Sequence, residues 1–314
     1  MDMKILIIAP EYMGYMVKVA DELRKRTNVT VLDIHIPTYQ YSSVFSRSQN
    51  FFLKKISKDL KYTYRKNYIE ERIKDQKFDT ILIIRPDLLS VEYIRTLKNH
   101  SSRLITYFFD GIHRFPKKFK SLELFDTIFS FEPDDCQQYG FTFITNFIYD
   151  EDISINISKY SVFNIMSYDR KRFPILEKIA KNLKANNIKY KFIVKFEKKT
   201  PPNSLIESIY TPISLEETRQ YILDSKCVLD IGVTHKHKGL TFRVFEAMGL
   251  QKKLITNNAD TRRYDFYNPQ NILIIDGENP EIPIDFLESE YDLIPDAIYQ
   301  KYTLRNWVNT VFNL

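Results

Sequence analysis

Short runs of consecutive apolar residues alternate along the chain with longer stretches in which apolar positions recur every three or four residues. That is the pattern of parallel strands joined by crossover helices. Residues 4–9 (KILIIA) form a continuous apolar run, a helical spacing covers 15–26, and 29–34 reads as a second strand. Residues 51–76 have the spacing of a long helix, and 78–84 (FDTILII) that of a strand stopped by Pro86. The spacing predicts a helix over 90–98, with Ser90 and Glu92 in an N-terminal turn. Strands at 103–109, 127–131 and 141–147 complete an expected first sheet of about six strands.

The polar, acidic stretch 150–159 reads as a linker, and a second alternating series follows it. Strands are expected at 162–166, 190–194, 227–231, 253–256 and 271–275. Helices are expected at 173–186, at 214–225 opened by Ser214 with Glu216 and Glu217, and at 241–248. Residues 200–203 (TPPN) read as a loop, and 296–312 as a final helix carrying Trp307. The expected division is 1–152, 160–295, and a C-terminal helix over 296–314 packing across the two domains. Two Rossmann-like α/β halves facing each other form a cleft, with ligands at the carboxyl ends of the strands. This pattern fits sugar transfer, sugar-phosphate isomerisation and plain ligand binding alike.

Composition narrows the class. The chain has 314 residues, 44% of them hydrophobic and 14% aromatic, which suits two folded domains and excludes a disordered chain. Only Cys136 and Cys227 are present, too few for a disulfide framework or a multi-Cys metal site, so a reducing, cytoplasmic setting is expected. The first ten residues lack a signal peptide's cleavage pattern, and no stretch reaches the ~20 apolar residues of a membrane span. A formal charge of +6 permits phosphorylated ligands without demanding nucleic acid, for which no binding module is evident. Lys54, Lys55, Lys58, Lys61, Arg65 and Lys66 share a helical stretch with apolar residues. Such a basic amphipathic segment suits a solvated face, or peripheral contact with anionic lipid at the inner face of a membrane.

The most informative stretch is 227–257, CVLDIGVTHKHKGLTFRVFEAMGLQKKLITN. A strand runs into a polar loop holding His235, Lys236, His237, Lys238 and Gly239, and a helix begins at Thr241, a natural N-cap. Helix starts present unpaired N–H groups and a positive dipole end, where a diphosphate is well placed and Gly239 allows its close approach. Arg243 and Glu246 are the only charges between Gly239 and Gln251 and share one helical face. They suit either a helix-internal ion pair or a ligand contact. His235 and His237 lack the further ligands a zinc site needs, and no Asp-x-Asp metal motif is present.

The segment GLTFRVFEAMG followed by KKLITNN resembles the donor-site helix and next strand of GT-B glycosyltransferases. The resemblance is to the group 1, spore-maturation-protein-like branch found in capsule and lipopolysaccharide biosynthesis. It implies a nucleotide-sugar donor, with Glu246 on the ribose and His237, Lys238, Gly239, Thr241 and Arg243 around the phosphates. Retaining members usually carry a glutamate eight positions before the one matching Glu246. Lys238 stands there, which leaves a retaining or inverting course open. Residues 107–149 (YFFDGIHRFP…FDTIFSFEPDDCQQYGFTFITNFIY) resemble the end of the first domain in the same branch. There Asp110 falls at a strand's carboxyl end with His113 just beyond, and either could serve as base, His113 suiting equally a supporting or phosphate contact; Asp110 before Gly111 also suits a plain turn.

GT-B enzymes commonly place a basic residue after the first C-terminal strand, which makes Arg170, Lys171 and Arg172 diphosphate candidates, with Lys195 a further one. Gly14 matches an acceptor-side loop. The resemblance implies transfer to a saccharide or lipid-linked acceptor, with no metal requirement and no other cofactor. A nucleotide-sugar-binding protein without catalysis, and a nucleotide-sugar epimerase, are the alternatives on the same fold.

Overall fold

The run of Ile and Leu in β1 (Met3–Pro10) is buried on both faces, with Ile5, Leu6, Ile7 and Ile8 fully enclosed. Only a sheet covered by helices on both sides accommodates such a strand. The computed structural model describes residues 2–12, 14–43, 45, 48, 50–51, 59–112, 119–153, 157–199, 203–233 and 238–314. They divide into two units, Met1–Ile144 with Val308–Leu314, and Thr145–Trp307.

In the first unit β1 leads to α1 (Gly14–Arg24), β2 (Val29–Ile36), α2 (Leu60–Ile73) and β3 (Phe78–Ile83). Then come α3 (Val91–Lys98), β4 (Ser101–Phe108), α4 (Phe119–Leu122), β5 (Thr127–Ser130), α5 (Pro133–Tyr139) and β6 (Thr142–Phe143). The six strands are parallel in the order β2-β1-β3-β4-β5-β6, with Ile5 opposite both Val31 and Thr80. The chain order reverses between β1 and β3, which makes their carboxyl ends the topological switch point of this sheet. Leu6, Ile8, Ile81 and Leu104 pack under Ile69 and Ile73 of α2 and Ile94 and Leu97 of α3.

Of the helix expected over 51–76, Leu60–Ile73 forms α2, where Asp59 caps the start by accepting from the Lys61 N–H at 2.9 Å, and 52–58 lie outside the described residues. Lys54, Lys55 and Lys58 of the basic cluster lie outside the described residues. Lys61 lies over the Tyr41 ring, and Arg65 donates to the Leu88 carbonyl. The strand expected over 141–147 is only two residues long.

The second unit runs β7 (Tyr160–Ser167), α6 (Arg172–Ala185), β8 (Tyr190–Lys195), β9 (Glu207–Ile209), α7 (Leu215–Leu223) and β10 (Ser225–Asp230). After these come α8 (Phe242–Gly249), β11 (Lys253–Thr256), β12 (Ile272–Ile274) and α9 (Ile284–Glu288). All six strands are parallel in the order β12-β11-β10-β7-β8-β9, the doubly wound dinucleotide-binding order, with the switch point between β7 and β10.

Residues 145–152 lie along this unit. Asn146 donates to the Leu240 carbonyl at 2.8 Å, the Phe147 ring meets Phe242 edge-on, and Arg219 holds Asp150 and Asp152. The tail is not the single helix its spacing predicts. It consists of α10 (Asp296–Tyr299), a 3-10 turn (Gln300–Tyr302) and α11 (Leu304–Phe312). The break falls at Thr303, whose backbone is extended. There the Ile148 N–H donates to the Tyr302 carbonyl and the Leu304 N–H to the Ile148 carbonyl, so the chain pairs with residue 148 and cannot continue the helix.

Candidate functional site

Strands β7 and β10 pair only as far as Phe163 and Val228. Beyond that point side chains span the opening. Asn164 Nδ2 donates to the Leu229 carbonyl at 2.7 Å. Arg172, at the start of α6, donates through Nη1 to the Ile231 carbonyl and through Nη2 to the Ser167 carbonyl. One guanidinium therefore ties together the carboxyl ends of the two strands that flank the switch point. Arg170 and Lys171 are exposed, so of the three basic residues in this loop Arg172 is the one built into the strand ends. Lys171 lines a cavity of about 430 Å³ with Pro174, Ile175, Asn257 and Gly277. Lys195 ends β8 and is half-buried, with its carbonyl accepting from the Tyr168 N–H.

Asp230 ends β10. The residue keeps some surface, but its carboxyl group is enclosed. Burial pushes this carboxyl above the usual carboxylate range, and Glu246 adds to the effect. The bond from Thr241 and the charges of Arg243 and Arg172 oppose it. Thr241 caps α8 in extended conformation. Its Oγ1 donates to Asp230 Oδ2 at 2.9 Å and accepts from the Arg243 N–H at 3.2 Å. The start of the helix is thereby fixed to the end of the strand. Gly239 is buried just ahead of it, and the Lys238 carbonyl accepts from Asn258 Nδ2 at 3.2 Å. His235 and His237 lie outside the described residues.

Glu246 is 2% exposed. Its Oε2 accepts from Arg243 Nη1 and its Oε1 from the Tyr149 hydroxyl at 2.6 Å. A polar group at such depth needs hydrogen-bonding partners of this kind. The structure thus forms the helix-internal pair of Arg243 and Glu246 and adds Tyr149 to it.

The first unit has its own polar cluster at the β1/β3 switch point. Arg85, just after β3, adopts a left-handed backbone (φ 59°, ψ 58°), which costs a residue with a side chain of its size about 1–3 kcal/mol. Its Nε and Nη2 donate to the two oxygens of Asp87 at 2.9 Å each, and Nη1 donates to the Tyr12 hydroxyl at 3.1 Å. Burial lowers the Arg85 pKa, but the bonds and charges of Asp87, with Tyr12 and Asp110 nearby, raise it overall. Asp110 is half-buried two residues beyond β4, within the electrostatic reach of Arg85. Gly14 opens α1, and His113 lies outside the described residues.

Solved structures share this architecture over nearly their full length. An alpha-glucosyltransferase in complex with UDP-glucose and DNA containing an abasic site matches with a TM-score of 0.57 and 13% identity, over 99% of this chain and 95% of that one. The UDP-GlcNAc 2-epimerase from Methanocaldococcus jannaschii matches at 0.54 and 12% identity, over 99% and 100%. A UDP-forming α,α-trehalose-phosphate synthase from Burkholderia xenovorans matches at 0.56 and 10%, over 99% and 98%. The chain has the GT-B class of fold. No protein-family model and no curated protein sequence matches it.

Within this fold, the structure adds three residues to those the sequence suggests. Asp230 reads in sequence as the polar end of an apolar strand, and only its bond to Thr241 reveals more. Arg85 carries no signal beyond preceding Pro86. Tyr149 falls in the stretch whose resemblance is to the end of a first domain, yet it bonds within the second unit. Among the described residues no group of three or more His, Cys, Asp or Glu could hold a metal, and no helix is long and apolar enough to cross a membrane.

Proposed function

We propose that this chain is a glycosyltransferase that takes a nucleotide-sugar in its second unit and transfers the sugar to a saccharide or lipid-linked acceptor, in surface polysaccharide biosynthesis. The observation that carries this reading is the capped start of α8 beside the splayed ends of β7 and β10, with Arg172 across them. In doubly wound sheets a nucleotide phosphate sits at that place.

In this reading the diphosphate lies against the N–H groups at the start of α8, near Gly239, Thr241, Lys238 and His237. Arg170, Lys171, Arg172 and Lys195 supply further positive charge. Negative charge grows on the diphosphate as the glycosidic bond breaks, and a fixed dipole with cationic side chains stabilises it without a metal. Glu246 accepts a ribose hydroxyl in addition to its bonds from Arg243 and Tyr149. Asp110, with His113, takes the proton of the acceptor hydroxyl, and Gly14 shapes the acceptor-side loop. The 54–66 region rests on anionic lipid at the inner face of a membrane, which suits a cytoplasmic enzyme with a lipid-linked acceptor.

A second reading, a nucleotide-sugar epimerase, is favoured by the 2-epimerases among the solved structures that match the whole chain. Incubation with radiolabelled nucleotide-sugars, with and without saccharide and lipid-linked acceptors, separates the two. Label transferred to an acceptor supports the transferase. Conversion of the donor sugar without acceptor supports the epimerase. Tight binding with neither outcome refutes both and leaves a binding protein.

A further inference from the structure

Asp230 stands out as an enclosed carboxyl group that the transfer chemistry does not use. Thr241 has one hydroxyl hydrogen, and it is given to Asp230 Oδ2. The oxygen's lone pair is left to take the Arg243 N–H, which opens the first turn of α8. Among the described residues the charged groups around Asp230 come from two helices, Arg172 on α6 and Arg243 and Glu246 on α8, and Tyr149 bonds Glu246 from the segment before β7.

We propose that Asp230 is a positioning residue of the donor site, which orients Thr241 and the start of α8 and whose charge makes donor binding depend on pH. The inference rests on the reading of that helix start as the diphosphate site.

The reasoning is electrostatic and chemical. An ionised Asp230 holds the Thr241 hydrogen and sets a negative charge beside the place of a negative ligand. A proton on Asp230 removes that charge while its other oxygen still accepts from the Thr241 hydroxyl, so Thr241 and the helix start stay in place. Donor binding then takes up a proton from solvent, and affinity rises as pH falls through the titration of Asp230. Burial, which raises the carboxyl above its ordinary range, brings that titration nearer to neutrality.

The test is titration of UDP-, GDP- and dTDP-glucose into wild-type protein and Asp230→Asn from about pH 5 to 8. These donors carry diphosphate diesters, which do not themselves titrate in that range. Asn keeps an acceptor for Thr241 and removes the charge. The expected result is roughly five- to tenfold tighter binding by Asp230→Asn at the upper end of the range, converging with wild type at the lower end. Parallel profiles would overturn the role of Asp230 while leaving the donor site standing. No binding of any of the three by wild type at any pH would overturn the donor reading and this inference together. Should Asp230→Asn fail to fold, Asp230→Ala decides, since it too removes the charge. A pH slope lost there supports Asp230, and a slope kept there overturns it.

Discussion

The Tyr149 hydroxyl donates to Glu246 Oε1 at 2.6 Å, across 97 positions of sequence. Arg243 completes the enclosure from the other oxygen. The glutamate that the resemblance assigns to the ribose is thus fixed in orientation before any ligand arrives, by a helix neighbour and by a tyrosine from the segment preceding β7. Such a carboxylate loses little entropy when it meets a ligand hydroxyl.

Tyr149→Phe removes one donor to this buried carboxylate. The expected cost is about 1–3 kcal/mol of stability, read by urea unfolding, with weaker nucleotide-sugar binding read by calorimetry. Full stability with undiminished affinity would show that Arg243 alone holds Glu246.

Gly249 closes α8 against the Asp150 backbone and the Ile148 side chain. A Cβ there would lie 2.6 Å from Ile148 Cγ2 and nearer still to the Asp150 carbonyl oxygen. Backbone cannot yield as a flexible side chain can. Gly249→Ala should lower stability by about 1–3 kcal/mol or more, and a melting temperature equal to wild type would contradict this packing.

Stability should also report on Asp230. Its carboxyl is raised by burial, so the folded chain holds a proton at pH values where the unfolded chain has lost it. The sign follows. Its contribution is present in full below the ordinary carboxylate range and is lost as pH rises through the raised folded value. Asp230→Asn should therefore melt higher than wild type near neutral pH, with the difference shrinking toward about pH 4. A constant difference across that range would show that the carboxyl is not raised.

How much of this was legible beforehand depends on burial. Strands such as β1 and β10 carry runs of consecutive buried apolar residues, Ile5 to Ala9 and Cys227 to Leu229, because helices cover both faces, and the pattern shows these runs directly. β9 (Glu207–Ile209) escapes notice, since a three-residue strand with one polar-exposed end has no period to read. The break at Thr303 is equally invisible, because its cause is a partner 155 positions away at Ile148. The helix around Arg243 and Glu246 is legible from its isolated charges in an apolar frame. Asp230, Arg85 and Tyr149 are not, for each gains its meaning from a contact the chain makes only when folded.

In the first unit, Asp110→Asn should abolish transfer while leaving nucleotide-sugar affinity unchanged, as a base acting on the acceptor requires. Transfer assays alongside calorimetry check this, and retained turnover would exclude Asp110 as the base.

The most direct test of the account is calorimetric titration of UDP-, GDP-, CMP- and dTDP-sugars into wild type and Glu246→Gln. The account predicts that at least one nucleotide class binds the wild-type chain and that Glu246→Gln weakens it roughly tenfold or more. Binding of none of the four, or equal binding by both proteins, would contradict it.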